Sequence, residues 1–236
     1  MKTNFIPIVR AHIMNTRLET GAVQNINNYI DNYIDNCEQL KKDYSHNLAG
    51  QIKLGEQVEL NINDPELLDL KLTLNNMSKE YIKYWIDNTQ VGHNAMKRNT
   101  NNIFSKMPRI EVNDIWYNKY YEGDYNPLHN HQTPSRMGLS CFLFLKLPKH
   151  QKNEIIDKEK SFSKNTVLDG TSYFNCSPAT GHEVYDLVAS SQMSIRPEIG
   201  AIWLFPKWLE HGVYPFRGLG ERRTIAANIN IWTNDQ

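Results

Sequence analysis

The chain has 236 residues, with 26 lysines and arginines against 26 acids, so its formal net charge is zero. That length bounds it at one or two domains, with enough chain to bury a core unaided by staples. Hydrophobic residues at 40% and charged residues at 22% exclude wholesale disorder and collagen-like repeats. A balanced charge also argues against bulk nucleic-acid binding, which needs a basic surplus to displace counterions.

Three cysteines, Cys37, Cys141 and Cys176, cannot all pair and form no CxxC element. Neither a disulfide framework nor a zinc knuckle is expected, and the reading is a reducing, cytoplasmic compartment. The opening Met1-Lys2-Thr3-Asn4-Phe5-Ile6-Pro7 lacks an apolar leader core. The longest apolar run, Cys141-Phe142-Leu143-Phe144-Leu145, falls far short of the ~20 residues of a membrane span. A soluble protein is expected.

Taken in chain order, the N-terminal third reads helical. Val23, Ile26, Ile30, Ile34 and Cys37, with Tyr33 alongside, recur at the 3–4 spacing of one helix face. Asp64-Pro65-Glu66 is a second start signal: a capping acid, a proline at the first helical position and an acid in the first turn. Leu67, Leu70, Leu74, Met77, Tyr81 and Trp85 follow on one face, although the alternation of leucines from Leu68 to Leu74 also fits a strand. This helix should end before Gly92.

After about residue 105 the texture becomes β-rich. Ile110-x-Val112, Ile115-Trp116-Tyr117, Leu139 to Leu147, Met193-x-Ile195, Ala201 to Phe205 and Thr224 to Trp232 read as strands separated by Gly, Pro and Asn turns. Residues 149–170 are polar without a period and read as either a solvated loop or a lid. Many short strands with helices gathered at one end suggest a β-sandwich or jelly roll with a helical flank. The expected organisation is one domain over 1–236, with 1–104 as helical support and 105–236 as the β core.

The residues that could carry chemistry lie in that β half. His129-Asn130-His131 is an H-x-H pair; on an extended strand both imidazoles leave from one side. His211 follows the apolar strand Ala201 to Phe205. Two ligands two residues apart and a distant third can build a facial site for a divalent metal with open positions left for other ligands. Alone, the pattern is weak, and three unrelated surface or hydrogen-bonded histidines would be the better reading. At the end of the chain, Arg222, Thr224, Ala226 and Asn228 would share one face of a strand, and Arg223, Ile225, Ala227, Ile229 and Ile231 the other. A guanidinium beside a hydroxyl suits capture of a carboxylate.

Several fragments in order resemble the 2-oxoglutarate/Fe(II) oxygenases related to the prolyl-4-hydroxylase group. They are Trp116-Tyr117-Asn118, Gly123-Asp124-x-Asn126-x-x-His129-x-His131, Leu139-Ser140, Gly200-Ala201-Ile202-Trp203-Leu204-Phe205-Pro206, His211 and Arg222-x-Thr224-Ile225-Ala226-x-Asn228. The likeness covers roughly residues 105–232, with a weaker echo in Leu48-Ala49-Gly50-Gln51-Ile52. It implies a double-stranded β-helix with N-terminal helices on its outer sheet, an Fe(II) centre, 2-oxoglutarate and O2 as co-substrates, and ascorbate as an auxiliary reductant. Under that resemblance His129 and His211 bind iron, and Arg222, helped by Thr224, holds the distal carboxylate of 2-oxoglutarate. Tyr117 or Asn126 would add a hydrogen bond to the co-substrate, and Arg223 would be structural. The implied reaction is hydroxylation of a C–H bond, with a peptide or protein side chain such as proline as the leading substrate and a small molecule as the other. The Asn-, Lys- and Ile-rich usage together with this family fits a phage or bacterial source.

The common ligand pattern in that family is His-x-Asp/Glu, yet position 131 is histidine. Either His131 completes a three-histidine site, or Asp124, Glu183 or Glu198 supplies the acid, or metal binding has been lost. Three histidines are favoured, because dianionic 2-oxoglutarate can balance the iron's charge. A cupin-type metal dioxygenase without 2-oxoglutarate and a non-catalytic jelly-roll binding protein are the alternatives; Arg222-x-Thr224 is what argues against the first of them. The aromatic cluster Trp116, Tyr117, Tyr120, Tyr121 and Tyr125 is read chiefly as core and barrel rim, Arg136 as a solvated loop residue and Cys141 as core.

Overall fold

The computed structural model describes residues 4–8, 11–37, 41–45, 50–97, 108–148, 168–175 and 192–233. The 104/105 boundary, Cys176, Glu183, the stretch 149–167 and positions 48 and 49 lie outside them. The described chain forms two antiparallel sheets. Strands β1 (Asn4–Ile8), β2 (Ala11–Arg17), β3 (Lys42–Asp43), β4 (Glu56–Leu60), β5 (Arg109–Tyr120), β7 (Met137–Lys146), β10 (Ala201–Pro206) and β12 (Arg222–Trp232) make the larger sheet, in the order β1-β2-β10-β7-β12-β5-β4-β3. β6 (Asn126–His129), β8 (Ser172–Asn175), β9 (Gln192–Ile195) and β11 (His211–Val213) make the smaller one, in the order β6-β11-β8-β9. This is the jelly roll expected from the sequence.

Helices α1 (Thr20–Tyr29), α2 (Leu68–Asn88) and α3 (Gln90–Lys97) are the helical layer. α1 continues through a π-helical turn at Ile30–Ile34, and Asp64 caps a 3-10 turn at Pro65–Leu67 by accepting the Glu66 N–H at 3.0 Å. α1 packs against β7 and α2 against β5. Val23, Ile26, Ile30, Ile34, Leu70, Leu74, Met77 and Tyr81 are buried there with Ile115, Tyr117, Leu143, Ile225, Ala227 and Ile229 of the sheet. Burying these faces in one shared core is what holds the helices, since short helices are marginal in water alone.

Residues 1–104 are therefore not purely helical support. β1 to β4 come from this region and extend the larger sheet on both edges. β4 escapes a helix-or-strand reading because its apolar alternation is short: Val58 and Leu60 are buried on the helix side, while Gln57 and Glu59 line a cavity on the other. A second, aromatic core of Phe142, Phe144, Phe174, Phe205, Ile13 and Leu209 fills the space between the two sheets at one end. The other end of that space is the cavity.

Candidate active site

The cavity encloses about 440 Å³ between the sheets. Its floor comes from the pairing of β5 with β12, in which Tyr120 lies opposite Arg222, Asn118 opposite Thr224, Trp116 opposite Ala226 and Asp114 opposite Asn228. All eight of these side chains line it. β4 continues the wall, with Gln57 opposite Asn118 and Glu59 opposite Trp116.

The H-x-H pair and the distant histidine meet on its wall. His129 lies directly opposite His211 in the β6–β11 pairing, and His131 is placed by its N–H donating to the Lys207 carbonyl at 2.9 Å. Ligand atoms of His129, His131 and His211 all lie within 4.8 Å of one another. Gly212 allows the approach of β8 to β11, since a Cβ there would sit 2.5 Å from the Tyr173 ring.

Tautomers follow from the partners. His129 Nδ1 lies 2.8 Å from the Pro127 carbonyl and His211 Nδ1 lies 3.0 Å from the Leu209 carbonyl. A carbonyl only accepts, so both Nδ1 atoms carry the proton and both Nε2 lone pairs are left for another partner. The Nε2 atoms of His131 and His211 face each other at 3.2 Å. Burial pushes all three imidazoles toward the neutral form, His131 down to about 3, with the neighbouring rings adding to the effect at His131 and His211. Neutral, converging imidazole nitrogens, with the His129 and His211 rings fixed by backbone carbonyls, fit a divalent metal.

No carboxylate joins this cluster among the described residues. Asp124 is engaged elsewhere, accepting the backbone N–H groups of Lys53, Leu54, Gly55 and Tyr121 at 2.7, 3.2, 2.8 and 3.0 Å. Gly123, at φ +87°, makes the turn that delivers it. Glu198 pairs with the exposed Arg17.

Arg222 is 1% exposed and lines the cavity. Its Nε donates to the Gly170 carbonyl at 3.0 Å and its Nη2 to Ser172 Oγ at 2.9 Å, and the guanidinium lies over the rings of Phe144 and Tyr120. None of these partners is an anion, and burial lowers its pKa to about 10. Thr224 beside it is 3% exposed, and its hydroxyl meets Asn118 Nδ2 at 3.3 Å. A buried cation without a counter-ion, next to a hydroxyl in a cavity, fits a carboxylate ligand.

Asn126 lines the same cavity, with Nδ2 3.4 Å from His129 Nε2 and a buried Oδ1 lacking a partner. Tyr117 does not belong there. It lies on the opposite face of β5, fully buried under the helical layer, with its hydroxyl donating to Glu56 Oε1 at 3.0 Å and lying 3.2 Å from Asp35 Oδ1. The period-two alternation that puts Trp116 and Asn118 into the cavity sends Tyr117 away from it. Asn118, Ser172, Gln57, Glu59 and Asp114 were not singled out from the sequence. For Asn118 the signal was available, since it shares the alternation of Trp116 and Tyr120.

Residues 114–228, just under half of the chain, match the model of the family described as "Putative 2OG-Fe(II) oxygenase". No curated protein matches the chain. Among solved structures, a prolyl-4-hydroxylase from Pseudomonas putida is 12% identical over 93% of this chain and 92% of its own, with a TM-score of 0.52. HygX from Streptomyces hygroscopicus, with nickel and 2-oxoglutarate bound, is 9% identical over 93% of this chain and 82% of its own, at 0.53. A prolyl hydroxylase from Trichoplax adhaerens, in complex with a hypoxia inducible factor oxygen degradation domain peptide fragment, is 12% identical over 93% and 82%, at 0.53. At these identities the structures share the fold. Residues 114–228, which hold His129, His131, His211, Arg222 and Thr224, are thus similar to the 2OG-Fe(II) oxygenases, enzymes that work with iron, 2-oxoglutarate and O2.

Proposed function

We propose that the chain couples oxidative decarboxylation of 2-oxoglutarate to succinate and CO2 with hydroxylation of a substrate C–H bond. The observation that carries this reading is the pair of sites in one cavity: three converging neutral imidazoles, and a buried guanidinium with no anionic partner. His129, His131 and His211 would hold Fe(II). Bound there, the metal supplies the open positions at which a 2-oxo acid and O2 react.

The remaining work falls to the chain's own groups. Arg222, with Thr224, binds the distal carboxylate and orients the co-substrate along β12. Asn118 holds the Thr224 hydroxyl, and Asn126 keeps its amide group within the cavity beside His129. With three neutral ligands, the dianionic co-substrate completes the charge balance at the metal. Ascorbate would act as an external reductant. The aromatic end of the inter-sheet space excludes water from the back of the cavity. A peptide or protein side chain, prolyl first, is the substrate to try, with a small molecule as the other candidate; the prolyl hydroxylases of like fold support that order.

The test is anaerobic addition of Fe(II) and then 2-oxoglutarate to the metal-free protein. A weak visible charge-transfer band that needs both supports chelation at the iron. Iron binding without that band would point to a cupin-type dioxygenase, and no iron binding to a scaffold without chemistry.

A further inference from the structure

The cavity is polarised along its length. Arg222 is the one cationic side chain lining it among the described residues, and it sits at one end of the β12 face. Six residues along, about 20 Å away by strand geometry, Asn228 lies opposite Asp114. Near this end Glu59 lies opposite Trp116, whose ring centroid is 5.7 Å from that of His131. Through Trp116 this acidic wall adjoins the histidine cluster.

Neither carboxylate has a cationic partner among the described residues. Asp114 Oδ2 accepts from Asn113 Nδ2 at 2.6 Å and Asn228 Nδ2 at 3.4 Å, and Glu59 lies beside the Tyr44 hydroxyl, whose pKa it holds above the usual value. Lys42, opposite Glu59 in register, is exposed and forms no ion pair with it. A second observation is independent of the acids. Gln57 and Asn118, 7% and 8% exposed, are cross-strand neighbours on the same wall, and Gln57 Oε1 and Asn118 Oδ1 are buried without a hydrogen-bond partner. Two orphaned acceptors beside two uncompensated carboxylates demand donors, and a buried acceptor left unpaired is costly. The adjacent indole of Trp116 offers a π face to a cation.

We infer that the β4–β5 wall formed by Gln57, Glu59, Asp114, Trp116 and Asn118 is the substrate subsite, and that it takes a protonated amine or a guanidinium. A guanidinium seated on Glu59, in the middle of this wall, has donors left for the nearer flanking acceptor, Gln57 on one side or Asp114 on the other. This rests on the proposed oxygenase reading and narrows its substrate. A peptide meets it when the hydroxylated residue is basic or stands next to a basic one.

The test compares n-butylguanidinium with the neutral, nearly isosteric n-butylurea by calorimetric titration. Each is added to the full chain, metal-free and again loaded with Mn(II) and 2-oxoglutarate. The expected result is at least tenfold tighter binding of the guanidinium, reduced below twofold in the Glu59→Gln/Asp114→Asn double variant. Equal binding of the two probes to the unsubstituted protein overturns the proposal, as does a preference that survives the double variant. The probe comparison needs no variant, so a misfolded double variant does not decide it. Failure of Mn(II) and 2-oxoglutarate to bind counts instead against the oxygenase reading and leaves the metal-free comparison to judge the wall.

Discussion

Arg222 and Arg223 are neighbours on β12, and each is 1% exposed, yet they do opposite things. Arg223 faces the helices, where Asp31 at 2.6 Å, Glu221 at 2.5 Å and Asn27 at 3.2 Å surround its guanidinium. Burial would lower its pKa, but those acids outweigh burial and raise it. Arg222 faces the cavity, has only a carbonyl, a serine and two aromatic rings for company, and is pushed down. One charge is compensated within the fold and the other, among the described residues, is not. The same split runs through β5, where Tyr117 and Lys119 bond the scaffold acids Asp35 and Glu56 while Asn118 and Tyr120 line the cavity. A side chain's face, more than its chemistry, separates function from support here.

The comparison can be broken most directly at Arg222. Arg222→Met should weaken 2-oxoglutarate binding by about 100-fold or more, since it removes charge-assisted hydrogen bonds in a dry site. It should change the unfolding free energy by less than about 1 kcal/mol, because it also removes an uncompensated buried charge. Titration of 2-oxoglutarate into Mn(II)-loaded protein and denaturant melts of the metal-free form would read the two effects separately. A variant that unfolds while keeping its affinity would reverse the assignment.

On the same face, His131→Ala should lower Co(II) affinity by about 100-fold or more in chelator competition. Full retention would mean that another side chain supplies the third ligand. The opposite face should respond in stability. Arg223→Met should cost about 2 kcal/mol, modest for a buried pair because Asp31 is partly exposed, and should leave 2-oxoglutarate affinity within about twofold. Tyr117→Phe should cost about 1 kcal/mol for its lost hydrogen bonds, again with co-substrate binding intact; an effect on binding alone would return Tyr117 to the site.

The smallest expected effect is with pH. Burial would raise the Glu56 carboxyl, but Lys119, Lys41 and Tyr117 outweigh it and hold the group below its usual value of 4.5. A depressed folded pKa adds stability that is fully present above the ordinary value and is lost as pH falls through the folded one. Melting temperature should therefore hold down to about pH 4.5 and decline below it. Asp31, held low by Lys146 and Arg223 against the raising effect of burial, acts in the same sense. Glu56→Gln should flatten the decline.

Much of the site was legible in residue order. Strand alternation over Glu221 to Asn228 separates Arg222 from Arg223 with no structure at hand, because a pleated strand sends successive side chains to opposite faces. The same rule, applied to Trp116-Tyr117-Asn118, would have chosen Asn118 over Tyr117; proximity to the motif was the weaker guide. Helix periodicity found α1 and α2 because their buried faces are unbroken, from Val23 to Ile34 and from Leu67 to Tyr81. It did not find β4, whose polar half faces a cavity instead of a core.

Sequence alone determined which residue types were available: an H-x-H pair, a third histidine, and an arginine and threonine on one strand face. Only the tertiary structure decided that His211 lies across from His129, that Asp124 is occupied by four backbone N–H groups, and that Arg222 has no counter-ion among the described residues. Local periodicity is set by backbone geometry and can be read along the chain. Pairing register, burial and the compensation of a charge depend on segments far apart in sequence, and those meet only when the two sheets close.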